Sequence, residues 1–119
     1  MDFSTELIGQ VVGLLMSEGK AWRKANPKAG AYEIENGLRE ALRKVGAAFL
    51  GELYEAEDRG HVPSEVTCDC GEQAKYLFRR KAKTLSSFGW VDYRRAYYVC
   101  PTCHQGNYPL DRRLGLQAG

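Results

Sequence analysis

Four cysteines in two close pairs constrain the fold of this chain more than any other feature of its sequence. Cys68 and Cys70 form one pair, Cys100 and Cys103 form the other, and 29 residues lie between the pairs. The intervening residues are rich in aromatic and β-branched side chains, which favour antiparallel strands. A small sheet would bring the two cysteine turns together, and four thiolates arranged in this way can hold one Zn²⁺ ion.

The composition of the ligand set indicates what the ion would do. Four thiolates close the coordination sphere and leave no open position for chemistry, so the zinc would be structural. Two details depart from the usual pattern: Cys68 and Cys70 are only one residue apart, and His104 follows Cys103 directly as an alternative ligand. A redox motif, a disulfide and unrelated thiols remain the competing interpretations. The acidic amino terminus is unlike a secretory signal, which favours a reducing cytoplasm and disfavours disulfides.

Hydrophobic periodicity predicts the remaining elements. Apolar residues at helical spacing predict helices over 5–18 and 32–58, with a connector over 20–30 that contains Asn26-Pro27 and Gly30. Strands are expected over 74–80, 84–87 and 90–99, the last two joined by a turn at Phe88-Gly89. The expected fold is therefore α+β, an N-terminal helical hairpin followed by a small antiparallel zinc ribbon. The expected domains are a helical region over 1–62 and the ribbon over 66–116.

The second predicted helix carries an apolar stripe that is longer than the first helix can cover. Its residues recur every three or four positions: Ile34, Leu38, Leu42, Val45, Phe49, Leu53 and Ala56. Either the first helix and the ribbon cover this stripe, or the helix pairs with a second copy or docks onto a partner domain. No apolar stretch approaches the roughly 20 residues that a bilayer crossing needs, so no membrane association is expected.

Charge is divided unevenly along the chain. Residues 1–65 hold eight basic and eleven acidic residues, a net charge of −3, whereas residues 66–119 hold nine basic and four acidic residues, a net charge of +5. The basic half is therefore the half that would meet a polyanion such as DNA. The candidate DNA contacts are Arg79, Arg80, Lys81, Lys83, Arg94, Arg95, Arg112 and Arg113. The chain has no phosphate-binding glycine loop and no catalytic triad pattern, so we expect no enzyme activity from it alone.

Several motifs of the second half resemble a known family. They are Cys-Gly-x-x-Ala-Lys-Tyr at 70–76, Arg-Arg-Lys-x-Lys-Thr-Leu at 79–85, Phe-Gly-Trp-Val-x-Tyr-Arg-Arg-Ala-Tyr-Tyr-x-Cys-Pro-x-Cys at 88–103 and Pro-Leu-Asp-x-x-Leu-Gly-Leu at 109–116. In order and spacing they resemble the amino-terminal region of Kra-type bacterial insertion-sequence transposases. The resemblance covers about residues 66–118, and the helices before it match only in general character.

The resemblance implies a zinc-binding region that engages transposon-end DNA and precedes an RNase H-like catalytic domain in those proteins. It implies that the four cysteines are the zinc ligands, that the basic segments 79–83 and 94–95 approach DNA, and that the protein works at the bacterial nucleoid. His104 stands where the second knuckle of that family usually has glycine, and the chain stops at Gly119, where the family continues toward its catalytic core. A split, repurposed or excised module is therefore expected. The rival hypothesis is a zinc-ribbon adaptor whose surface contacts protein within a nucleoprotein complex.

Overall fold

The computed structural model describes all 119 residues and confirms the α+β class, with two helices preceding a small four-stranded antiparallel sheet. None of its helices combines the length and the apolar character that a bilayer crossing requires. The helices are α1 (Thr5–Ala25), α2 (Ala31–Arg59) and α3 (Pro109–Leu114). The strands are β1 (Glu65–Thr67), β2 (Gln73–Ser86), β3 (Gly89–Val99) and β4 (Gly106–Asn107).

Helix α1 is longer than its sequence pattern predicts. The Ser4 hydroxyl caps its start by accepting a hydrogen bond from the Leu7 N–H. The helix then continues through Gly19, where we expected it to end, because one glycine costs only about 1 kcal/mol and the residues that follow favour helix. It ends before Asn26-Pro27, since the residue before a proline is disfavoured in the helical conformation. The true connector is therefore shorter than the expected 20–30.

The chain forms two compact units, Met1–Glu40 and Ala41–Gly119. The boundary lies within α2, whereas the sequence placed a boundary between residues 62 and 66. In the first unit, the Trp22 ring lies against Gly37, where an added Cβ would come within 3.2 Å of the ring. In the second unit, the C-terminal half of α2 packs with the sheet.

The sheet has the strand order β1-β2-β3-β4, so each strand pairs with its neighbour in sequence. We predicted separate strands over 74–80 and 84–87, and this was wrong, because β2 is one continuous strand with a register shift between Tyr76 and Phe78. The intervening Lys81-Ala82-Lys83 contains no turn-forming residue that would interrupt the ladder. Gly89, at φ 90°, makes the turn that starts β3. The result is a long two-stranded ribbon of β2 and β3.

Helix α2 packs along the edge of β3 that β4 leaves uncovered. An added Cβ at Gly51 would lie 2.5 Å from the Asp92 carbonyl oxygen, so only glycine permits this approach. One turn further along, Glu55 Oε1 accepts a hydrogen bond from the Arg94 N–H at 2.7 Å. Both carboxylate oxygens of Asp58 accept from the Ala96 N–H at 3.1 Å. Side-chain carboxylates thus take the place of a neighbouring strand.

The apolar core of the second unit is small and centred on the cysteine end of the sheet. Its cluster contains Cys68, Ala74, Ala96, Tyr98 and Cys100. Arg95 and Ala96 are neighbours on β3 and point to opposite faces of the sheet, and both are buried. Both faces are covered at this point, because Asp111 of α3 contacts Arg95 and Asp58 of α2 covers the backbone of Ala96.

Candidate metal centre and basic ribbon

The two cysteine pairs lie in the two short hairpin loops at one end of the sheet. Cys68 and Cys70 lie in the loop between β1 and β2, and Cys100 and Cys103 lie in the loop between β3 and β4. The first cysteine of each pair is buried and the second is exposed. Pairing of β2 with β3 brings the two loops side by side, although the pairs are far apart in the sequence.

The four sulfur atoms are as close together as metal coordination requires. The Sγ atoms of Cys68 and Cys103 are 3.5 Å apart, as are those of Cys70 and Cys100, and all four lie within 4.8 Å of one another. Thiolates at about 2.3 Å from a tetrahedral ion would be separated by about 3.8 Å. These four cysteines could therefore hold one metal ion with only small adjustments of the side chains. His104 is not among the clustered side chains.

Backbone N–H groups are directed at all four sulfur atoms. Hydrogen bonding from the Cys103 N–H holds the pKa of Cys100 down to about 6, and the Cys70 N–H lowers the pKa of Cys68. The Glu72 N–H also acts to lower the pKa of Cys70, but the neighbouring thiols and burial outweigh it and raise that pKa to about 12. Cys103, which accepts from the Gln105 N–H, likewise has a raised pKa because of the adjacent Cys68 thiol and burial. Such N–H donors favour the thiolate form, which is the form that binds metal.

The two cysteine loops have nearly the same backbone design. In the first, the Gly71 N–H donates to the Cys68 carbonyl at 2.9 Å, and Gly71 has φ 93°. In the second, the His104 N–H donates to the Cys100 carbonyl at 2.9 Å, and His104 has φ 62°. In both loops the residue after the second cysteine donates to the carbonyl of the first, and the one-residue spacing shortens this closing bond from a span of four residues to a span of three. His104 occupies a left-handed position that favours glycine.

Three of the predicted DNA contacts share one exposed face of the β2–β3 ribbon. Lys81 pairs directly with Arg94 across the strands, and Lys83 pairs with Asp92 on the same face. All four are exposed, and none of them forms an ion pair. The Lys83 ammonium lies 5.2 Å from the centre of the Trp90 ring. We call Lys81, Lys83, Asp92 and Arg94 the ribbon face.

The arginines predicted to contact DNA beside the ribbon face have partners within the chain. Arg95 is buried, pairs with Asp111 at 3.1 Å and lies over the Tyr108 ring at 3.8 Å. Arg79 pairs with the buried carboxylate of Asp58 at 2.8 Å. Both arginines therefore form ion pairs that connect elements within the chain.

The last three predicted contacts lie on other surfaces. Arg80 is exposed and donates a hydrogen bond to the Tyr108 hydroxyl at 3.0 Å. Arg112 pairs with Asp69 of the first cysteine loop at 2.7 Å, and Arg113 with Glu57 at 3.5 Å. Of the eight predicted DNA contacts, three therefore share the ribbon face and five do not.

Two carboxylates that organise this region were not singled out by sequence reasoning. Asp111 accepts hydrogen bonds from the Tyr93 hydroxyl at 2.8 Å and from Arg95 at 3.1 Å. Burial, and then the hydrogen bond to Asp111, raise the pKa of Tyr93. Asp58 connects α2 to β3 in the same way. Asp111 is an isolated acid, Asp58 is one of several acids near the end of α2, and the partner of each is many residues away, so no local signal identifies them.

Comparisons with known proteins identified no relative of this chain. No protein-family model matches the chain, and neither a search of curated proteins nor one of solved structures found a significant match.

Proposed function

We propose that this chain is a zinc-ribbon DNA-binding and assembly module of an insertion-sequence transposase. In this proposal the four cysteines hold structural zinc, the ribbon grips double-stranded DNA, and a separate catalytic domain or subunit performs the chemistry. The module would act at the nucleoid in the bacterial cytoplasm.

The ligand set and the small core support structural zinc. The core cluster of the sheet contains only five residues and buries little apolar surface, and small scaffolds with such limited cores often gain stability from a structural metal. Structural zinc contributes about 10–16 kcal/mol of apparent binding free energy, which is coupled to folding. Elemental analysis of the reduced protein should give one zinc ion per chain, and Cys100→Ser should abolish it. A metal-free wild-type protein that keeps its folded sheet would refute this part of the proposal.

The like-charge pair of Lys81 and Arg94 is the observation that carries the DNA-binding proposal. Like charges directly opposite each other across a sheet are destabilising. Here the pair is exposed and lacks an ion-pair partner in the chain, and Lys83 adds a third cation to the same face. An anionic partner would relieve this repulsion. A two-stranded ribbon also has dimensions that the major groove of DNA can admit.

Salt dependence gives a quantitative test. If Lys81, Lys83 and Arg94 each contact a phosphate, the affinity for duplex DNA should fall about 40-fold between about 50 mM and 200 mM salt. Fluorescence anisotropy with a labelled duplex of about 20 base pairs measures this on zinc-loaded protein. The double variant K81E/R94E should weaken binding strongly and reduce the salt effect to about 3.5-fold, because one contact remains.

A matched control separates the ribbon face from net charge alone. The double variant K20E/K28E makes the same charge change at exposed lysines of the first unit, and it should bind DNA like the wild type. Equal losses in both double variants would mean that only total charge matters. Absence of binding by the wild type at 50 mM salt would overturn the DNA-binding proposal.

Exposed apolar residues on the ribbon support a second candidate, a zinc-ribbon adaptor that contacts protein. Leu77 is exposed at the register shift, and Leu85 and Trp90 form an exposed cross-strand pair near the turn. Large apolar side chains in such positions are typical of interaction surfaces. Unchanged DNA affinity in K81E/R94E, with loss of a co-purifying protein, would favour the adaptor.

A further inference from the structure

The apolar stripe of α2 remains uncovered in the folded chain. Its six large residues keep 42–53% of their surface exposed. They are Ile34, Leu38, Leu42, Val45, Phe49 and Leu53. The sequence left open whether other parts of the chain cover this stripe, and the structure shows that they do not bury it.

Helix α2 is held on the edge of β3 mainly by residues on the side opposite the stripe. Gly46 lies against the Phe88 ring, Gly51 against the Asp92 carbonyl, and Asp58 bonds the Ala96 N–H. At 3.6 residues per turn, Gly51 and Asp58 lie roughly 160° around the helix axis from the centre of the stripe, whereas Gly46 lies at the margin of the stripe, roughly 70° from its centre. The sheet therefore cannot cover the stripe without losing the hydrogen bonds that hold the helix on β3. A partner from outside the chain would remove this apolar surface from water.

We propose that the stripe is the contact between two copies of this chain, which pair through α2 as a homodimer. A stripe of aliphatic and aromatic residues on a continuous helix is complementary to itself under two-fold symmetry, because the ridges of one helix fit the grooves of the other. A second copy also brings an equal stripe. This inference goes beyond DNA binding and does not depend on it.

The available area agrees with a dimer. The stripe from Ile34 to Leu53 is about 29 Å long at 1.5 Å per residue. Six half-exposed large residues contribute about 500 Å² per chain, so a pair would bury about 1,000 Å², the lower bound for a specific interface.

Sedimentation equilibrium of the full zinc-loaded chain tests the dimer. The wild type should have a mass of about 27 kDa at micromolar concentration, twice the 13.4 kDa of one chain. Val45→Glu places a charge in the middle of the stripe and should raise the dissociation constant at least 100-fold. Because Val45 is half exposed in the single chain, this variant should keep its helical circular dichroism and its zinc.

Asn36→Glu is the matched control, because it adds the same charge at an exposed position on the other side of the same helix. It should remain dimeric. A monomeric wild type at about 100 µM, or equal dissociation constants for the two variants, would overturn the inference. The DNA assay separates this result from the proposed function: K81E/R94E should still dimerise, and Val45→Glu should still bind duplex DNA as a monomer.

Discussion

Removal of the Asp58 carboxylate should release α2 from the sheet at a large cost in stability. The side chain is only 2% exposed, accepts the Ala96 N–H with both oxygens and pairs with Arg79 at 2.8 Å. Asp58→Ala would leave a buried N–H without an acceptor, which costs about 1–3 kcal/mol. Breaking a buried ion pair by removing one partner costs about 3–5 kcal/mol in all. Arg79 keeps a quarter of its side chain exposed and can regain water, so we expect about 3 kcal/mol.

Urea unfolding at a fixed free zinc concentration measures this loss. With a slope of about 1–2 kcal/mol per molar urea, the midpoint should fall by about 2 M. Glu52→Ala on the exposed side of the same helix is the control and should change the free energy of unfolding by less than about 0.5 kcal/mol. Asp58→Asn retains an acceptor for the Ala96 N–H and should fall between the two. A loss below about 1 kcal/mol for Asp58→Ala would refute the role assigned to this carboxylate.

Three further predictions concern the cysteine loops and the buried tyrosines. Chelation should melt the sheet, because the metal joins its two cysteine loops. Part of the helical circular dichroism should persist, because the helices contain no metal ligand. A sheet that survives chelation would contradict this prediction. His104→Gly should raise the unfolding free energy by up to about 1 kcal/mol in thermal unfolding, since it relieves the left-handed backbone at φ 62°, whereas His104→Ala should not. Burial raises the pKa of Tyr93 and Tyr98, so both keep their proton in the folded chain at pH values where the unfolded chain loses it. Stability should therefore fall as the pH rises above about 10, by at most about 1.4 kcal/mol per pH unit for each tyrosine, and Tyr98→Phe should reduce this slope.

The predictable part of the fold came from signals that are local in sequence. The stripe of 32–58 has a clear helical period, and the helix runs from Ala31 to Arg59. The aromatic and β-branched residues of 90–99 predicted β3, which spans Gly89–Val99. The α+β class followed from these two periods. The break that we predicted between strands 74–80 and 84–87 was wrong. The apolar alternation is weak between residues 80 and 84, but no turn-forming residue lies there, so the strand continues.

The cysteine cluster was predictable from the sequence only in part. Two cysteine pairs flanking strands predicted that four thiols would meet, and the structure brings their sulfur atoms within 4.8 Å of one another. The sequence could not give the backbone N–H donors to those sulfurs, since these depend on turn geometry. It also could not separate the exposed Lys81 from the buried Arg95, because both stand in runs of basic residues.

The helical and strand periods, the cysteine spacing and the basic character of the second half are visible in the amino-acid sequence, because each depends on residues that are close together in the chain. Which basic side chains have ion-pair partners and which side of α2 faces solvent became visible only in the folded chain. Those outcomes depend on pairs that are far apart in the chain, such as Asp58 with Ala96 and Arg95 with Asp111. Burial of such groups is favourable only when both partners arrive together, so neither partner signals its role alone.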